Sequence, residues 1–142
     1  MLRLPTVKFW RNAGWIVLFI CLCAALLGTF GITGPVAYHW GADAEPNAFG
    51  GIWMTWAMLL LTGLSLFTVP SLMKPKAGQS AVHEETACAF AVGLMSIFTG
   101  VNLIVVLYAF YPVPVVPAAG TIGILLVFVL DLILVAVRKK RS

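Results

Sequence analysis

Charge is scarce in this 142-residue chain, where 5 acidic and 9 basic residues stand against 61% hydrophobic residues. Soluble domains carry roughly a quarter of their residues charged, so the composition excludes a soluble globular fold. Cysteine is scarce as well. Cys21, Cys23 and Cys88 are odd in number and lie in or beside apolar runs, which suits small packing residues better than a disulfide framework or a metal site. Histidine occurs twice, at His39 and His83, and the chain has no phosphate-cradling glycine loop and no nucleophile–base spacing. These shortages lead us to expect no enzyme, no metal and no cofactor. The net charge of +4 does not indicate nucleic acid, because the basic residues sit only at the ends of apolar runs.

Apolar length is what the chain has in abundance, with a mean hydropathy of +1.02. Four nearly uncharged runs, roughly 14–34, 52–73, 87–111 and 118–137, each reach the 20 or so residues that a helix needs to cross the hydrocarbon core. Lipid cannot satisfy exposed backbone groups and the runs lack the alternation of barrel strands, so the spans are predicted to be helices. The expected architecture is a single all-α domain over residues 1–142, an integral membrane four-helix bundle in a lipid bilayer. The first run is too long for a secretory signal and no small-residue cleavage site follows it, so it reads as a retained anchor.

Lysine and arginine set the expected orientation. Arg3, Lys8 and Arg11 precede the first span, Lys74 and Lys76 follow the second, and Arg138, Lys139, Lys140 and Arg141 close the chain. These are all nine basic residues, and they predict that both termini and the loop 74–80 are cytoplasmic. Trp40, Phe49, Trp53, Trp56, Tyr108, Phe110 and Tyr111 cluster at the opposite helix ends, at the depth that amphipathic rings prefer, and Trp10 and Trp15 read as anchors on the inner side. Pro112, Pro114 and Pro117 predict a stiff extended link over 112–117. In the cytoplasmic loop, Ser80 is a candidate N-cap followed by Glu84 and Glu85, so the third helix is expected to begin ahead of its membrane span.

The long outer connection, 35–51, holds most of the candidate chemistry: His39, Trp40, Asp43, Glu45 and Asn47. Its Gly, Pro and Asn content predicts a compact set of tight turns folded on the helix ends, able to bring His39 near a carboxylate. His39 can then be read as a ligand for a metal or proton with Asp43 or Glu45, or as a hydrogen-bonded residue that fixes the loop. The second reading is the expected one, because the other histidine lies across the membrane and a zinc site wants more nitrogen or sulfur ligands. Pro35-Val36, His39-Trp40-Gly41-Ala42-Asp43, Pro46-Asn47 and Phe49-Gly50 resemble the outer-loop motif P-V-x-x-H-[FW]-[GN]-x-[DS]-G-x-P-[DN]-x-[WFY]-G of SdpI-like bacterial membrane proteins, whose N-terminal domain of unknown function would cover about 14–73. Ala44 stands where that motif favours glycine, Ala37 where proline is common and Ile52 where a basic residue is frequent. The resemblance implies a bacterial cytoplasmic membrane protein, with immunity to a secreted peptide or envelope signalling as its role.

Two polar residues lie within the spans. Asp131 is costly in hydrocarbon unless it finds water or a partner, and Asn102 sits in the outer half of the third span. Ala24-x-x-x-Gly28 and Ser96-x-x-x-Gly100 supply small faces for close helix contact. Beside the SdpI-like reading, the residues therefore leave two further functions open: an accessory subunit bound to another membrane protein, and a small transporter using Asn102 and Asp131.

Overall fold

The computed structural model describes residues 6–73 and 81–139. Its elements follow in the order α1 (Val7–Gly31), β1 (Val36–Trp40), β2 (Pro46–Gly50), α2 (Trp53–Leu72), α3 (Ala81–Phe110) and α4 (Val115–Lys139). All four helices are long and apolar enough to cross a membrane, with window hydropathies from 1.5 to 2.7. At a rise of about 1.5 Å per residue, even the 20 residues of α2 cover about 30 Å, the thickness of the hydrocarbon core. The protein is a multi-pass membrane protein of the all-α class. Arg3, Lys74, Lys76, Lys140 and Arg141, together with the loop 74–80 and its cap candidate Ser80, lie outside the described residues.

Three of the helices, α1, α3 and α4, begin ahead of their apolar stretches. Thr6 caps α1 by accepting a hydrogen bond from Phe9 N at 3.3 Å, so the first helix starts well before residue 14 and carries Lys8 and Arg11 in its opening turns. The third helix starts at Ala81, ahead of its apolar run, as its acidic first turn predicts. The proline link is shorter than the sequence suggested. Because α4 begins at Val115, Pro117 falls in its first turn, where a missing N–H costs nothing, and only 111–114 joins the two helices.

The central helix is α3. It packs against α1, α2 and α4, and half of its apolar window is buried, whereas α4 packs chiefly on α3 and leaves almost all of its own window facing outward. In lipid there is little hydrophobic force between helices, so contact rests on close fit and on polar links. The α3–α4 seam fits side chains of one helix into gaps on the other. A Cβ on Gly100 would overlap Ile124, one on Gly120 would overlap Ile104, and one on Gly93 would meet the Asp131 carboxylate. Between α1 and α2 the link is polar: Trp56 Nε1 donates to Thr29 Oγ1 at 2.9 Å.

Trp10 does not sit at the interface as an anchor. It is buried with Ala89 and Val92, against Ala13, Cys88, Leu134 and Val135, and so pins the start of α1 to α3 and α4. Trp15 is half-exposed and meets Phe67 edge-on.

Candidate functional site

The connection between α1 and α2 is a β-hairpin, where the sequence led us to expect turns alone. Val36, Tyr38 and Trp40 alternate with smaller or more polar residues and suit a strand, and β1 pairs antiparallel with β2 through Val36↔Gly50, Ala37↔Phe49, His39↔Ala48 and Trp40↔Pro46. The pairing slips around His39, so Tyr38 has no partner residue of its own. Val36 and Ala37 are buried at the base, and Trp40 meets Tyr108 of α3 edge-on at 5.5 Å, which fixes the hairpin to the bundle.

The turn spans Gly41–Glu45. Gly41 N donates to Glu45 O at 2.9 Å, Ala44 N donates to Gly41 O at 3.0 Å, and the Asp43 carboxylate accepts from Glu45 N at 3.1 Å. Ala44 has φ 61, the left-handed conformation that ends a three-residue hairpin loop and that glycine adopts without steric cost. Ala44 thus holds a backbone geometry that suits glycine while carrying a methyl group. Ala44→Gly is expected to stabilise the hairpin by about 1 kcal/mol, seen as slower amide exchange at Gly41 and Ala44; faster exchange would show that the turn gains from the alanine.

Of the five loop candidates, the structure brings His39 and Asn47 together. His39 Nδ1 and Asn47 Oδ1 form a hydrogen bond across the strands, with the ring nitrogen as donor because the amide oxygen can only accept. The carboxylates take other roles: Asp43 holds the turn through Glu45 N, and no contact joins His39 to Asp43 or Glu45 among the described residues. All four of these polar residues are exposed at the tip, while Trp40 is half-buried. Its Nε1 is enclosed and meets no acceptor among the described residues.

A groove of about 650 Å³ opens between the hairpin, the C-terminal half of α3 and the start of α4. His39, Trp40 and Ala44 form one wall, and Ile104, Pro117 and Leu125 belong to the other. Sequence reading found the hairpin wall through its motif and missed the α4 wall, which has only apolar side chains and Thr121 to announce it. The lining is mostly apolar with a few polar atoms at the hairpin rim, the usual make-up of a site for a largely apolar ligand.

The two intramembrane polar residues are not neighbours. Asp131 is buried against Gly93, and no hydrogen bond or ion pair reaches it among the described residues. Asn102 lies nine residues along α3 from Gly93, about 13 Å, and its Nδ2 donates to Cys21 O and Cys21 Sγ, both at 3.3 Å. Thr62 Oγ1 lies 3.6 Å from the same sulfur, so a polar knot joins α1, α2 and α3 at mid-depth.

This geometry defines a class: a four-pass helical membrane protein with a structured hairpin on one face and an apolar groove beneath it. Comparison with protein families, with characterised proteins and with solved structures gives no match.

Proposed function

We propose that the protein is a non-enzymatic binding protein of a bacterial cytoplasmic membrane, with its hairpin end outward, and that its groove takes the apolar part of a secreted peptide. The role is immunity or envelope signalling, as the SdpI-like resemblance of the hairpin implies. The observation that carries the reading is the groove itself, in which the motif residues His39 and Trp40 and the apolar start of α4 line one space. The segment 35–51 has no lysine or arginine, so Asp43 and Glu45 leave the hairpin tip acidic.

The test is sensitivity to secreted peptides in cells that carry the gene as their only copy. Trp40→Ala should lower the tolerated peptide concentration by about tenfold, the loss of one buried aromatic anchor worth about 1.4 kcal/mol or more. Trp53→Ala, at a 65% exposed residue outside the groove, should leave it unchanged at equal protein level. Equal tolerance in wild type, Trp40→Ala and a gene deletion would overturn the proposal.

A further inference from the structure

Beneath the hairpin, separated from the groove by Tyr38 and Val101, lies a second cavity of about 90 Å³ between α2 and α3. Asn102 lines it and is fully buried, and Asn102 Oδ1 meets no donor among the described residues. The orientation of that amide is fixed by its other end. Cys21 O can only accept, so Nδ2 must face α1 and Oδ1 must face away from it. Thr55, also on the cavity wall, gives its hydroxyl proton to Ile52 O at 2.7 Å and keeps only lone pairs for the cavity. The polar atoms supplied by Asn102 and Thr55 are therefore acceptors, and an occupant must donate.

Charge decides which donor. No carboxylate lines the cavity, and an unpaired cation at this depth costs several kcal/mol, far more than one or two neutral hydrogen bonds return. An acceptor left bare in an apolar setting costs about 1–3 kcal/mol, which a neutral donor removes. At about 30 Å³ per molecule the space holds up to about three waters. Tyr38, 43% exposed, forms the wall nearest the hairpin end, so the cavity lies one side chain from solvent.

We propose that this cavity is an internal hydration site, in which water enters past Tyr38 and donates to Asn102 Oδ1 and Thr55 Oγ1. The water completes the hydrogen bonding of the amide that ties α3 to Cys21 of α1. It makes the hairpin end of the bundle polar to the depth of the Cys21–Thr62–Asn102 knot. The inference stands apart from the peptide-binding proposal, since it uses a different cavity.

The cavity wall carries its own reporters, Met54 and Met58, because methionine oxidises readily beside radiolysed water. X-ray hydroxyl-radical footprinting of the full chain in nanodiscs should label Met58 at least about tenfold faster than Met95, which is fully buried and does not line this cavity. Met73, exposed at the end of α2, calibrates the rate for open solvent. Asn102→Leu removes the acceptor and should cut Met58 labelling about fivefold or more. Should that variant fold poorly, Val105→Phe fills the cavity from α3 while leaving Asn102 and Cys21 in place, and the same loss is expected. Met58 labelled as slowly as Met95 in the wild type, or labelled equally in wild type and both variants, would overturn the proposal.

Discussion

Gly100→Leu is expected to detach α4 from the bundle. A Cβ at this position already overlaps Ile124, and a leucine adds three more carbons against a helix that has nowhere to retreat except into lipid. Overpacking costs about 1–3 kcal/mol in a soluble core, where neighbours on every side resist. Here the resistance comes from α3 alone, because α4 has no other helix packed against it to a comparable extent. The seam also depends on reciprocal fits at Gly120 with Ile104 and at Gly93 with Asp131, which lose register together when one is forced apart. The expected outcome is a two-step unfolding in detergent, in which protease first cuts the 111–114 link while α1, α2 and α3 remain folded. Ile124→Ala in the same chain should restore most of the loss. Single-step unfolding at the wild-type midpoint would show that the seam is loose enough to absorb the side chain.

Trp10→Ala carries the other large effect. Trp10 is 7% exposed and fills the space between the start of α1 and the facing surfaces of α3 and α4. Truncating a buried tryptophan costs about 3–5 kcal/mol in soluble cores through lost contact and residual cavity. Lipid can refill part of such a cavity near the membrane edge, which places the expected cost at the lower end, about 3 kcal/mol, or about 6–12 °C in melting temperature for a chain of this size. Trp15→Ala removes a half-exposed ring with one edge-on contact, to Phe67, and should cost under about 1 kcal/mol. A melt of both variants against wild type measures the contrast. Equal shifts would mean that Trp10 acts as an interfacial ring after all.

Trp10 also marks the limit of what the sequence shows. Four spans are legible because apolar runs of span length have one outcome in lipid, and the helices lie where those runs are, within a few residues at most ends. The neighbour of a given aromatic is not legible, since tryptophan at a helix end suits both a headgroup and a packed seam. The hairpin was hidden by its own punctuation: Gly41, Pro46 and Gly50 read as turns, although Val36, Tyr38 and Trp40 carry a strand's alternation between them. The motif picked out His39 and Trp40, which line the groove, and Asn47, whose hydrogen bond to His39 only the fold reveals. The α4 wall was silent, because Pro117, Ile122 and Leu125 look the same facing a ligand as facing lipid. Asn102 stood out as a polar residue in a span, but its tie to Cys21, 81 residues away, required the fold.

In the proposed orientation the four-pass chain carries its hairpin and its 111–114 link on the outer face of the membrane. Single cysteines at Asp43, Val113 and Lys8, in a chain with Cys21, Cys23 and Cys88 replaced by alanine, can be probed in intact cells with a membrane-impermeant maleimide. Labelling at Asp43→Cys and Val113→Cys from outside, with Lys8→Cys reacting only after the cells are opened, is the predicted result; labelling of Lys8→Cys in intact cells, or protection of either outer position, would contradict it.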